Sequence, residues 1–115
     1  MNEGDVVLTH LPQSDGNLKY RPAIILRRMP PFGDVLVCGV STQLLQAAVD
    51  FDELIEPPDE DFAGSGLRAS SLIRLGFLTI RPIDQFTGRI AVISPQRHHR
   101  LLDRLARHLS SRSRR

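Results

Sequence analysis

The chain has one cysteine and no tryptophan among its 115 residues. A single cysteine excludes an internal disulfide. Because Cys38 lies within an apolar segment, we interpret it as a small core residue rather than a nucleophile. No apolar run approaches the length of a membrane-spanning helix. Residues 1–5 also lack the basic start and apolar stretch of a signal peptide, so we expect a cytoplasmic protein.

The sequence contains no glycine-rich phosphate loop and no spacing typical of a metal site. His98 and His99 are adjacent, so on a helix their side chains diverge by about 100° and cannot chelate one ion together. We interpret both, and His108, as surface histidines. No histidine stands near Ser41 in the context of a hydrolytic triad. We therefore expect no metal and no cofactor.

A chain of this length with 41% hydrophobic residues is enough for one small domain with a packed core. We predict that residues 35–41, which are nearly all apolar, form a central strand. Residues 43–49 are ambiguous between a helical turn and a loop, and loops are expected at 11–19, 29–34 and 81–86. The strands are predicted at 5–9, 20–28, 35–41, 52–56, 70–75, 77–81 and 87–93.

The last part of the chain predicts one helix. Ser94 is a preferred N-cap, and Pro95 suits the first helical position. Leucines recur at helical spacing as one stripe, and arginines form a basic stripe beside it. We expect one domain over residues 1–109 and a frayed basic tail over 110–115. The two stripes consist of Leu101, Leu102, Leu105 and Leu109, and of Arg97, Arg100, Arg104 and Arg107.

Charge is distributed unevenly along the chain. Seven of the thirteen acidic residues fall within 50–61, and seven arginines fall within 97–115. This asymmetry predicts separate electrostatic faces. Either both segments are simply solvated, or the basic face meets phosphates or an acidic partner peptide. We expect residues 57–66 to be mobile, and the acidic stretch to take no part in catalysis because it would repel a polyanion.

Two segments carry the strongest functional signal. Residues 20–26 place Arg21 at the mouth of an apolar strand, and residues 35–43 end an apolar strand in Ser41, Thr42 and Gln43. If these strands pair, a cation and hydroxyls meet at one edge of a sheet. A phosphodiester would fit between them, because arginine matches phosphoryl oxygens in geometry and charge.

The order of these segments resembles the MazF/PemK family of toxin endoribonucleases. The resemblance rests on Gly4-Asp5 before a strand, the Arg-Pro strand, the Ser-Thr-Gln strand end and the later run at 70–75, and it covers roughly residues 3–109. It implies a mainly β SH3-like small barrel with a C-terminal helix. It also implies a homodimer that cleaves single-stranded RNA by 2′-hydroxyl attack, without metal and with sequence selectivity, and that a small acidic antitoxin inhibits.

The resemblance implies that Arg21, in the Arg-Pro motif, is the catalytic arginine. The alternative is an exposed cation at a strand end, or one paired with Asp5 or Asp15. Ser41 and Thr42 are the candidate catalytic hydroxyls, and the alternative is that they simply end a strand. Proton transfer has no assigned group. PemK-type members carry an aspartate two residues after the arginine of the 70–75 segment, where this chain has Gly76.

Five further residues are candidates for binding RNA. Tyr20 is the best stacking candidate, although a strand tyrosine also serves as packing. Arg74 helps to stabilise charge or, equally, forms a structural ion pair, and Gln43 holds a loop or contacts a base edge. The change to Gly76 also admits an inactive barrel that binds nucleic acid or a protein, and a third alternative is a CcdB-like toxin directed at gyrase. The RNA-binding candidates are Lys19, Tyr20, Gln43, Arg74 and Arg81.

Overall fold

The computed structural model describes residues 1–12, 16, 18–86 and 89–112, with the backbone alone for 11, 12, 18, 19, 89 and 90. In these ranges the chain forms one antiparallel sheet of six strands followed by a C-terminal helix. Short 3-10 helices lie at Leu44–Gln46, Ala63–Ser65 and Ile83–Gln85. The longer elements are β1 (Asp5–Pro12), β2 (Leu18–Met29), β3 (Asp34–Ser41), β4 (Glu53–Ile55), β5 (Ser71–Arg81), β6 (Arg89–Val92) and α1 (Pro95–Ser110).

The strand order is β4-β5-β3-β2-β1-β6, so β3 is central, as its apolar sequence predicts. β1 and β2 are longer than predicted and shorten the loop at 11–19, of which residues 13–15 and 17 lie outside the described residues. The ambiguous stretch at 43–49 contains one 3-10 turn. Residues 87–88 and 113–115 also lie outside the described residues, and the division into domain and tail stays a prediction.

The sheet buries apolar side chains on both of its faces. On one face Ile24, Cys38 and Ile73 pack with Leu101 and Leu105 of α1. We call this the helix-covered face. Because side chains alternate along a strand, the other side carries a second buried cluster, and we call it the helix-free face. That cluster comprises Val7, Ala23, Ile25, Val35, Val37 and Phe86.

β5 is a single strand with an interruption, whereas the sequence predicts two strands at 70–75 and 77–81. Gly39 of β3 pairs with Arg74, but the preceding Cys38 pairs with Leu78. Residues 75–77 therefore have no partner in β3 and form a bulge. The predicted break corresponds to this bulge, which lies within a continuous strand.

Helix α1 begins as predicted. The Ser94 hydroxyl oxygen accepts a hydrogen bond from the backbone N–H of Arg97 at 3.1 Å, and Pro95 occupies the first turn. Two of the four leucines, Leu101 and Leu105, are buried. Leu109 is 71% exposed because the last turn extends beyond the core cluster, so it is not part of the buried stripe.

The basic stripe of α1 is not a free surface, because Arg97 is buried. All five of its N–H donors are used. Nε donates to Asp61 at 2.8 Å, Nη1 to Glu53 at 2.7 Å and to the Leu54 carbonyl at 3.0 Å, and Nη2 to Asp59 and Asp61, each at 3.0 Å. One guanidinium thus joins three carboxylates, which we call the Arg97 cluster.

The prediction of separate electrostatic faces is therefore wrong. Arg100 also donates to Glu53, and Arg104 donates to the Asp52 carbonyl oxygen at 3.1 Å. The acidic and basic segments, distant in sequence, bind each other. Residues 57–66, predicted to be mobile, are held by the same contacts, and Ser65 within them is fully buried. No helix in the described ranges is long and apolar enough to cross a membrane.

We predict that Arg97→Met strongly destabilises the fold, because three carboxylates lose their cation. Breaking a buried ion pair on one side costs about 3–5 kcal/mol. The measurement is the free energy of unfolding in urea. The control is Arg107→Met, which removes an exposed pair with Asp103 and is expected to cost about 0–1 kcal/mol. Equal losses in the two variants contradict the role of the Arg97 cluster.

We predict a loss of stability in acid that Asp61 helps to cause. Burial alone raises the pKa of Asp61, but hydrogen bonds from Arg97 and Ser94 outweigh it and hold the pKa below its ordinary 3.8. Between the lowered pKa of Asp61 in the folded protein and its ordinary value, the unfolded chain binds the proton more readily than the folded one. The free energy of unfolding therefore falls as the pH drops below about 4. Asp61→Asn should be less stable at pH 7 and show a flatter decline in acid. A decline parallel to that of the unsubstituted protein contradicts this.

Candidate functional site

Arg21 lies on the helix-free face. It is two residues before Ala23 in β2, and it pairs with Thr9 of β1. Thr9 is two residues after Val7 and is buried on the same face. Asp5, one suggested partner of Arg21, lies four residues along β1 from Thr9, roughly 13 Å away at strand spacing, and Asp15 is outside the described residues.

Ser41 ends β3 on the same face. Continuing the register of Ala23 with Gly39 brings Arg21 opposite Ser41. The described ladder ends at Ala23, however, so Arg21 and Ser41 flank the point where β2 and β3 part. The Ser41 hydroxyl oxygen accepts a hydrogen bond from the Gln43 N–H at 3.0 Å. Its O–H proton is therefore available to a ligand oxygen.

Thr42 and Gln43 follow β3 and are exposed. The side chain of Gln43 makes no capping bond to the 3-10 turn that it precedes. Both side chains thus stand beside Ser41 at the surface. This placement fits contact with a ligand at the end of β3, and it leaves the choice between the Ser41 and Thr42 hydroxyls to experiment.

Arg74 joins the same end of the helix-free face. It pairs with Gly39, which itself pairs with Ala23, so the three residues form one row across β5, β3 and β2. The Nε of Arg74 is buried and has no hydrogen-bond acceptor in the described part of the chain. Buried donors are normally satisfied. The alternative of a structural ion pair for Arg74 finds no partner among the residues described.

Arg81 lies on the helix-free face but further away. It pairs with Val35, four residues along β3 from Gly39 and therefore roughly 13 Å from the row of Arg74. Its Nε is likewise buried without an acceptor in the described ranges. A plain strand would place Arg74 and Arg81, seven residues apart, on opposite faces. The bulge at 75–77 puts them on the same one.

Tyr20 is not brought together with Arg21. Its ring contacts His10 on the paired strand, with the centroids 4.4 Å apart and the planes at 89°. Adjacent strand residues point to opposite faces, so Tyr20 belongs to the opposite side of the sheet. Lys19 lies in β2, but its side chain is outside the described residues.

Cys38 is buried, and desolvation raises the pKa of its thiol to about 12, which agrees with a core residue rather than a nucleophile. His98 is half-buried and its Nε2 donates to the Leu26 carbonyl at 2.8 Å, so its prediction as a surface histidine is wrong. His99 and His108 are exposed. The described residues contain no group of three or more metal-binding side chains placed to hold an ion.

The site therefore combines two cations and two hydroxyls around the gap between β2 and β3: Arg21, Arg74, Ser41 and Thr9. Two cations and two hydroxyls in this arrangement have the charge and the hydrogen-bond donors that an anionic ligand requires. Sequence reasoning missed Thr9. Only the register of β1 with β2 reveals it, because Thr9 carries no motif of its own.

Comparison with known proteins agrees with this architecture. The chain is similar to Mycobacterium tuberculosis toxin MazF-mt6, with a TM-score of 0.67 over 95% of this chain and 99% of that chain. The fold is MazF-like. This confirms the predicted fold class, a mainly β small barrel with a C-terminal helix, and the sheet is a half-barrel of six antiparallel strands. The sequence identity is 17%, so the likeness establishes the fold and not the activity. Neither a protein-family model nor a curated protein matches the chain.

Proposed function

We propose that this chain is the toxin of a toxin–antitoxin pair, and that it cleaves single-stranded RNA without a metal and with sequence selectivity. The observation that carries this function is the grouping of Arg21, Ser41 and Arg74 in neighbouring rows at one end of the helix-free face. The MazF-like fold supports it. Its partners would be messenger RNA and a small acidic antitoxin, and the active form a homodimer.

In the proposed reaction the RNA supplies its own nucleophile. The 2′-hydroxyl gives up its proton to water as its oxygen forms a bond to phosphorus. The bond to the 5′-oxygen breaks and that oxygen takes a proton from water, so a cyclic phosphate and a 5′-hydroxyl result. Arg21 binds two phosphoryl oxygens through its planar fork and offsets the added negative charge. Ser41 donates its hydroxyl proton to a phosphate oxygen. Arg74 offers N–H groups of its guanidinium to the same phosphate or its neighbour.

Further residues would follow the RNA away from the cleaved bond. Arg81 lies along the same face, roughly 13 Å from the row of Arg74, and Thr42 and Gln43 stand beside Ser41. Lys19 is assigned here from the sequence. Tyr20 faces the other side of the sheet, so it stacks only on a base that passes the sheet edge.

The proposed roles concern binding and charge, not proton transfer. Gly76, where PemK-type members carry an aspartate, lies exposed in the bulge of β5 and offers no titratable group. This substitution favours one alternative, a barrel that binds RNA without cleaving it. Binding of RNA with no cut ends at high protein concentration would select that alternative.

We predict that RNA cleavage persists in EDTA and that Arg21→Ala slows it at least about 100-fold, the scale of losing one transition-state charge stabiliser. The measurement is mapping and quantifying the cut ends of a long RNA. Arg107→Ala serves as the control, because it removes an exposed arginine on the helix-covered side. Full activity of Arg21→Ala, or activity that EDTA abolishes and Mg²⁺ restores, refutes the proposed mechanism.

We predict that Ser41→Ala lowers the cleavage rate roughly 10-fold to 100-fold, because a hydrogen bond to a charged group is worth about 1.5–3 kcal/mol. Ser41→Thr keeps the hydroxyl and should retain or raise the rate. The fold should survive both changes, because the Gln43 N–H is exposed and water replaces its lost partner. Wild-type cleavage by Ser41→Ala with loss of cleavage in Thr42→Ala would show that Thr42 is the donor.

A further inference from the structure

The bulge in β5 leaves backbone groups without a partner in β3, directly beside Arg74. The N–H of Leu75 belongs to this unpaired stretch. It points to the β4 edge of β5, beyond the last residue paired with β4, and donates to Oδ1 of Asp52 at 3.0 Å. An unpaired backbone N–H in a half-buried position is costly, so this carboxylate stabilises the bulge at the residue that follows Arg74.

The second oxygen of the same carboxylate holds another segment. Oδ2 of Asp52 accepts from the Ala48 N–H at 2.9 Å, and the Asp52 N–H donates back to the Ala48 carbonyl at 3.0 Å. These bonds close residues 48–52 into a compact turn. That turn ends the connection that leaves Ser41, so Asp52 links the segment after β3 to the bulge in β5.

Other contacts fix Asp52 itself. It immediately precedes β4, which pairs Glu53 with Ile73 of β5. Its carbonyl oxygen accepts a hydrogen bond from Arg104 of α1. The ring of the neighbouring Phe51 packs beside Gly76 of the bulge, 3.9 Å from where a side chain at that position would begin. The helix, β4 and the turn at 48–52 thus support the bulge together.

We propose that Asp52 is a positioning residue for the RNA site, which sets the direction of Arg74 and of the segment after Ser41. This inference rests on the proposed function. Asp52 itself makes no contact with RNA in this proposal, since both of its side-chain oxygens accept backbone N–H groups. Asp52 acts by holding the Leu75 N–H in place. This fixes the backbone of Arg74, the last residue of β5 that pairs with β3 before the bulge, and so fixes the direction of the Arg74 side chain.

A carboxylate suits this task because both oxygens accept from backbone N–H groups. Asparagine keeps one acceptor but presents an amide donor to the other N–H, so Asp52→Asn loses one of the two bonds at nearly constant volume. It is therefore the main variant. Asp52→Ala removes both bonds. The control is Glu3→Ala, since Glu3 also accepts a backbone N–H, from Arg28 at 3.0 Å, but at the distant end of β2.

The experiment measures RNA binding and cleavage for Asp52→Asn, Arg74→Ala and the double variant, each at several salt concentrations. Losing one phosphate contact on a single strand lowers the slope of log affinity against log salt by about 0.7. We expect Asp52→Asn to reduce kcat/KM about 10-fold and to lower the slope partly, as Arg74→Ala does. The double variant should be within about 2-fold of Arg74→Ala, because both changes remove the same contact.

Hydrogen exchange of the Leu75 amide provides a readout independent of RNA. Faster exchange in Asp52→Asn, with unchanged protection in the central strands and in Glu3→Ala, supports the structural part of the inference. Independent effects of Asp52→Asn and Arg74→Ala, or a wild-type salt slope in Asp52→Asn, overturn it while the proposed function stands. Absence of RNA binding by the unsubstituted protein overturns both. A wild-type slope in Arg74→Ala overturns the inference and the phosphate contact of Arg74, while RNA cleavage by the unsubstituted protein still supports the proposed function.

Discussion

The docking of helix α1 depends on the ion pairs that the buried guanidinium of Arg97 makes with three carboxylates. A charge buried alone is costly, so Arg97 is stable there only because carboxylates at 53, 59 and 61 reach it. The carboxylates of Glu53 and Asp61 in turn are buried where the cation meets them. Asp61 also accepts from the Ser94 N–H, so the same cluster fixes where the helix begins. The ion pairs between Arg97 of α1 and the acidic residues at 53–61 then help to hold Leu101 and Leu105 against the sheet.

This internal pairing changes how the charge of the molecule is distributed. Acidic and basic segments that look like opposing surfaces in the sequence neutralise each other on the helix-covered side. Arg21, Arg74 and Arg81 lie on the other side of the sheet, away from the Arg97 cluster. A polyanion that approaches the helix-free face therefore meets arginines without first meeting the acidic segment, which is what the proposed RNA site requires even though the net charge is only +2.

Features set by local patterns could be predicted from the sequence, and those set by distant partners could not. The cap at Ser94 and the central position of β3 depend on neighbouring residues, and both predictions are confirmed. The environment of Arg97 depends on carboxylates 36 to 44 positions away, and a helical stripe of arginines gives no sign of it. The sides taken by Tyr20 and Arg21 follow from strand alternation. Thr9, by contrast, becomes visible only through the pairing register.

The bulge in β5 limits how the number of residues between Arg74 and Arg81 can change. Arg74 and Arg81 share a face only because residues 75–77 interrupt the alternation. A one-residue deletion there would have to be absorbed by rebuilding the bulge or by a slip of residues 78–81 against β3. A slip carries Arg81 to the helix-covered side and brings Leu78 to the opposite one. Substitutions in this stretch are thus tolerated more readily than insertions or deletions, although it lies within a strand and not in a loop.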